Sequence, residues 1–205
     1  MRFNYHKIWL AACLFFVGSA HGADDQTEKL AGTINAALDV LYAEGSGSLS
    51  VEEKQAKVRE VLESNYDLDV IIRRAIGRNW RLMEPEEQSR VVELVKQLAL
   101  KSYINGMQGA QRPDVSLGKM LKLSDKRSEI DSTVRLDGET YSVLYRLGRM
   151  PSGWQIYDIV AEDISLVSNY RQQIDDHFRR NDAKDLINRL EELLKKDEID
   201  ENLQI

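Results

Sequence analysis

At Gly109 the spacing of apolar residues changes from that of a helix to that of a strand. Beyond it, Val115, Leu117, Leu121 and Leu123 alternate with polar residues. Ile130, Val134 and Leu136 alternate with Glu129, Asp131, Thr133 and Arg135, and then come Tyr141, Val143, Tyr145 and Leu147. A period of two places each set on one face of a strand. Asp137-Gly138 joins two of these runs and is a strong signal for a tight hairpin. A last run, Trp154 to Ala161, follows the turn at Pro151-Ser152-Gly153. Four consecutive strands with short connections predict an antiparallel meander, and its apolar face has to be covered.

The residues before Gly109 supply the cover. Leu30, Ile34, Ala37, Leu38 and Leu41 recur at helical spacing until Gly45-Ser46-Gly47-Ser48 interrupts them. Ser50 with Glu53 forms a capping box for a second helix through about Ser64. A third runs from Asp67 or Asp69 to a stop at Gly77. The fourth opens at Glu84-Pro85-Glu86-Glu87, and its apolar residues, from Val91 to Met107, cover far more than one stripe. Two further helices, at about 165–179 and 182–196, follow the last strand. The fold class is therefore α+β, a curved four-stranded antiparallel sheet covered by helices.

Arg2 and Lys7 precede the apolar run Ile8 to Val17, and Gly18, Ser19, Ala20, Gly22 and Ala23 follow it. This is the layout of a secretory signal peptide, expected at residues 1–22, with cleavage after Gly22 or after Ala20. The run is too short to span a bilayer. Leu10-Ala11-Ala12-Cys13 also spells a lipoprotein-type box, but most of the apolar run follows Cys13 instead of preceding it. Residues 23–197 are expected to form one domain, and 198–205 a frayed tail. Removing residues 1–22 takes away Cys13, two of three histidines, and two of 28 basic residues against 34 acidic ones, which moves the net charge from -6 to about -8. That sign disfavours non-specific nucleic-acid binding. A soluble protein of an oxidising, extracytoplasmic compartment is expected.

Such a chain is poorly supplied for catalysis. His177 is then its only histidine and no thiol remains, so a Ser-His-Asp or Cys-His site has no parts to work with. No zinc-ligand spacing, phosphate-binding glycine loop or calcium loop occurs. Carboxylates are the remaining option. If the last strand continues far enough, Asp158 and Glu162 share a face with Trp154 and Ile156, where a general base of raised pKa could sit. The competing expectation is structural: Asp158 pairs with an arginine such as Arg146, and Asp163 or Ser165 caps the helix near Leu166.

The long helix and the sheet carry enough apolar surface either for an ordinary core or for an open apolar pocket. Three segments bear on the choice. Gly77-Arg78-Asn79-Trp80-Arg81 and Glu84-Pro85-Glu86-Glu87-Gln88 are followed by Gly153-Trp154-Gln155-Ile156-Tyr157-Asp158-Ile159-Val160-Ala161-Glu162, which runs into Ile164-Ser165-Leu166-Val167-Ser168-Asn169-Tyr170-Arg171. Together they resemble the MlaC family of periplasmic phospholipid-binding proteins, in order, over about residues 27–195. Asp163 stands where the family usually has glycine, Ile174 where an aromatic is common, and Lys184 where a glycine often precedes the final helix.

The resemblance implies a nuclear-transport-factor-like cone with a diacyl lipid's tails in its pocket. It implies no enzyme activity and no cofactor. The implied partners are an inner-membrane ABC transporter complex with a ring-forming lipid-transfer subunit and an outer-membrane lipoprotein complex. Tail contacts are expected from Val70, Ile71 and Ala75, from Val95, Leu98, Tyr103 and Met107, and from Val143, Tyr145, Trp154 and Ile156. A lyase- or isomerase-like enzyme using Asp158 or Glu162 on the same fold, and a carrier of a hopanoid-type lipid, are the alternatives.

Overall fold

The computed structural model describes residues 25–196; the expected signal peptide, with Cys13, and the tail at 198–205 lie outside the described residues. Four helices come first: α1 (Asp25–Tyr42), α2 (Val51–Asn65), α3 (Leu68–Ile76) and α4 (Pro85–Met107). Strands β1 (Asp114–Leu117), β2 (Leu121–Ser124), β3 (Arg127–Leu136), β4 (Glu139–Met150), β5 (Gly153–Ala161) and β6 (Ile164–Ser165) follow, then α5 (Leu166–His177) and α6 (Ala183–Lys195). Among the described residues no helix is long and apolar enough to cross a membrane.

The helix ends follow from local chemistry. The Glu53 amide donates to Ser50 Oγ at 3.1 Å while the Ser50 amide donates to Glu53 Oε2 at 2.7 Å, which completes the capping box of α2. Asp67 accepts from the Asp69 amide at 3.0 Å to start α3, and Gly77, at φ 62°, ends it. Asp182 accepts from the amides of Lys184 and Asp185 at the start of α6. Lys184 is therefore an ordinary first-turn residue, and the geometry there does not require glycine. At the other end of α6, Lys101 Nζ donates to the carbonyls of Leu194 and Lys196.

The sheet has six strands instead of the expected four, in the order β1-β3-β4-β5-β6, with β2 also paired to β3. The segment read as one strand from Val115 to Leu123 is two. β1 pairs with residues 132–135 of β3, and β2 with residues 127–129. The break falls at Gly118, whose amide donates to the Asp131 carbonyl at 2.8 Å and where any side chain would collide with the Asp131 carboxylate. Alternation survives across the break, so periodicity could not reveal it.

Two of the tight hairpins use a pair of left-handed residues. Asp137 (φ 50°) and Gly138 (φ 85°) join β3 to β4, and Glu162 (φ 47°) and Asp163 (φ 65°) join β5 to the short β6. Two consecutive positive φ values are the signature of the turn whose twist matches its flanking strands. This accounts for Asp163. Its position needs the left-handed region, where glycine is unstrained and aspartate is among the better-tolerated alternatives.

Apolar side chains gather in two clusters. One lies between the inner face of β3 and β4 (Ile130, Val134, Tyr141, Val143, Tyr145, Leu147) and the helices α1 and α2, with Leu100 and Met107 of α4. The other joins Ile72 and Ile76 of α3, Val91, Leu94 and Leu98 of α4, Ile174 of α5 and the leucines of α6. α4 contributes to both, which is why its apolar residues cover most of its circumference. Ile174, 3 % exposed, fills its place in the second cluster without an aromatic ring.

α2 is tied to α4 by charge. Arg59 donates to both oxygens of Glu93 at 2.6 and 2.7 Å. This guanidinium holds the Glu93 carboxyl down at about 2, against the effect of partial burial, with Gln97 assisting. The folded-state value lies below the ordinary 4.5, so the stabilisation is complete above that pH and is lost as pH falls towards 2. Both side chains are about a third exposed, so the pair is worth about 0.5–1 kcal/mol. Glu93→Gln should therefore lower stability by that amount at pH 7, with the difference from wild type shrinking below pH 4.5 and vanishing in urea titrations only as pH falls through about 2. At the second hairpin, Asp163→Gly should be neutral or stabilising, whereas Asp163→Val should cost about 1–2 kcal/mol in the same titrations.

Candidate functional site

Nine of the eleven residues expected to line a pocket fall in two places. Met107, Val143 and Tyr145 are buried in the cluster beneath the sheet, with Tyr103, Trp154 and Ile156 packed at its border. Leu98 is buried in the helical cluster, with Ile71 and Val95 at its margin. Val70 and Ala75 are half-buried on α3 and belong to neither cluster. Helical spacing identifies the apolar residues of α4 but does not say which neighbour each one faces.

The sheet-side interior contains buried hydroxyls that spacing did not flag. Ser128 lies on the inner face of β3 with its Oγ buried and without a hydrogen-bond partner among the described residues, separated by Ile130 from Ser132, which donates to the Val143 carbonyl at 3.1 Å. Tyr66, at the junction of α2 and α3, is 4 % exposed, and its hydroxyl also has no partner. Burial pushes the phenol's pKa well above its ordinary value.

Tyr66 also forms part of a groove of about 570 Å³ lined by Lys29, Glu63, Tyr66, Lys96, Ser152 and Gln155, among others. The junction is anchored there: the Asp67 amide donates to Gln155 Oε1 at 2.7 Å, and Gln155 Nε2 reaches Ser152 Oγ at 3.3 Å. Lys96 bridges Glu63 and Asp69, each at 2.8 Å. Desolvation works against its charge, but the hydrogen bonds it donates to Asp69 and Glu63 outweigh it and raise the Lys96 pKa. Lys29 stands 4.6 Å above the Tyr66 ring centroid. The sequence signal for this groove was present, an aromatic residue between two capped helices, but Asp67 next to it reads only as a cap.

The carboxylates at the end of β5 form a structural corner. Asp158 is 5 % exposed. Its Oδ2 accepts from Arg146 at 3.1 Å and from Ser165 Oγ at 2.8 Å, and its Oδ1 accepts from the Val167 amide at 3.2 Å. Arg146 also bonds Glu129 at 3.1 Å, and Ser165, not Asp163, caps α5 through the Ser168 amide at 3.0 Å. The expectation that Asp158 and Glu162 share a face with Trp154 and Ile156 fails for two reasons. A register shift sets Ile156 opposite Leu147 but Asp158 opposite Arg146, so a bulge at Tyr157 moves Asp158 to the other face. Glu162 lies beyond the strand, in the turn, where its carboxylate accepts from the Ser142 amide at 2.5 Å. His177, the only histidine among the described residues, sits at the end of α5 with Nε2 3.1 Å from the Asp182 carbonyl.

A second depression runs along α5, between Arg171, Asp175 and Arg179, and is polar throughout. Its charges are engaged locally: Asp175 accepts from Arg78 and Asn79, Arg179 pairs with Asp176, and Arg171 donates to the Arg74 carbonyl.

No curated protein matches this chain. Among solved structures, the phospholipid-binding protein from Ralstonia solanacearum, in complex with a phospholipid, shares the fold. The TM-score is 0.74 at 22 % identity, over 84 % of this chain and 100 % of that one. The family profile described as MlaC protein matches residues 32–192, which take in every element from the middle of α1 to most of α6. The chain belongs to the MlaC family.

Proposed function

We propose that this protein is a periplasmic lipid carrier that holds the acyl chains of a phospholipid in its apolar interior. It shuttles that lipid between an inner-membrane ABC transporter complex, through a lipid-transfer ring, and an outer-membrane lipoprotein complex. The observation that carries the reading is the family match across 32–192, supported by a neighbour of the same fold that holds a phospholipid. The interior agrees with it, because the sheet-side cluster combines a broad apolar wall with hydroxyls, Tyr66 and Ser128, that no protein group satisfies. In this reading the protein acts as a monomer. The tails lie on the sheet side, against Tyr103, Met107, Val143, Tyr145, Trp154 and Ile156, in the mouth of a cone of the nuclear-transport-factor type. Val70, Ile71, Ala75, Val95 and Leu98 join them where the two clusters part along α4.

The energetics suit a carrier. Burying roughly 30 methylenes at about 0.8 kcal/mol each gives on the order of 20 kcal/mol before ordering costs. Spontaneous escape into water is therefore very slow, and handover requires a partner that accepts the tails as they leave. This role needs no covalent step, and the Asp158 carboxylate is already committed to Arg146, Ser165 and Val167.

Purified protein should carry about one phospholipid by native mass spectrometry and lipid extraction; protein that takes up none from vesicles would overturn the reading. Val143→Trp should cut lipid occupancy about tenfold in material that stays folded by circular dichroism, since an indole added to this wall occupies tail volume. Asp158→Asn should lower stability by about 2 kcal/mol and leave the occupancy of the folded protein unchanged, because the carboxylate anchors the β5–α5 corner.

A further inference from the structure

Tyr66 is the one wall of the groove that also belongs to the sheet-side apolar cluster. The ring lines the groove and packs in that cluster, and is almost wholly buried. Its hydroxyl is buried and has no partner among the described residues. An unmade hydrogen bond in such a place is costly, so a ligand that offered an acceptor there would gain more than one meeting a solvated phenol.

The cation above the ring completes the pattern. Lys96 is spent on Glu63 and Asp69, and Asp67 on capping α3. Lys29 has no carboxylate within ion-pair distance among the described residues and stands over the Tyr66 ring face. The junction therefore brings together an apolar wall, a buried hydroxyl donor and an ammonium with no ion-pair partner among the described residues. A glycerophospholipid carries the complementary groups: acyl chains, ester carbonyls that can only accept, and a phosphate anion.

Building on the carrier reading, we propose that this groove is the portal and the glycerophosphate subsite. The Tyr66 phenol donates to an acyl ester carbonyl and the Lys29 ammonium pairs with the phosphate. Tyr66 thereby selects ester-linked glycerophospholipids over polycyclic lipids, which have neither group. Its ring, at the junction between α2 and α3, closes the passage from groove to interior.

The test crosses ligand with protein. Wild type, Tyr66→Phe and Lys29→Gln are loaded from vesicles of diacyl phosphatidylglycerol or of its ether-linked analogue, which lacks the carbonyls, and transfer to acceptor vesicles is timed. Wild type should release the ether lipid about tenfold faster than the ester lipid, and Tyr66→Phe, which keeps the ring and the fold, should release both at the faster rate. Lys29→Gln should speed release of both lipids severalfold, with the loss shrinking at high salt. A purely structural tyrosine would leave the ester-to-ether ratio unchanged in Tyr66→Phe, and that result overturns the subsite while leaving the carrier intact. If wild type loads neither lipid, the carrier reading beneath it fails instead. Inorganic phosphate at millimolar concentration should leave loading unaffected; displacement of lipid by phosphate would mark the groove as a free-anion site and overturn the assignment.

Discussion

The apolar face of the β3–β4 hairpin is the constraint on which the rest of the molecule depends. Ile130, Val134, Tyr141, Val143, Tyr145 and Leu147 are all buried and all point to one side, and no sheet can leave such a face in water. The helices that precede it supply the cover, with α1 and α2 lying against it and the C-terminal half of α4 closing one end. Because α4 continues past the sheet, its N-terminal half needs a second cover, and α3, α5 and α6 provide it. The two clusters follow from one long helix shared between two sets of partners.

The β5–α5 corner shows how a cluster of charge can be architecture. Asp158 receives a guanidinium, a hydroxyl and a main-chain amide, and with them fixes where the last strand ends and the C-terminal helices begin. A buried carboxylate held by so many donors has no free oxygen to offer a substrate. The bulge at Tyr157 turns Asp158 towards that corner and leaves Trp154 and Ile156 facing the interior. One extra residue in β5 thus separates the charged face from the apolar one.

A carrier has to satisfy opposed demands, since tails must be held out of water yet leave on contact with a partner. Hydrophobic burial supplies retention without direction or chemistry. In the proposed carrier the α2–α3 junction is where that retention would be regulated. It is short, its Asp67 amide bonds Gln155 of β5, and it carries Tyr66, which lines the groove and packs in the sheet-side cluster.

Much of this was legible in the sequence. The Ser50–Glu53 capping box, the stop at Gly77, the Asp137-Gly138 hairpin and the family segments depend on contacts within a few residues, and local chemistry decides them. Even Asp163 was marked, as an acid in a glycine position, although only its φ of 65° explains the preference. The tertiary structure decided whatever depends on distant partners. The split of one expected strand into β1 and β2 comes from the approach of Gly118 to Asp131, and the facing of Asp158 from a register shift against β4. The division of α4 between two clusters and the exposure of Tyr66 to both groove and core are likewise set by packing. Periodicity records that a residue is apolar and which way it points from its own helix or strand, but the neighbour it meets is chosen by the whole chain.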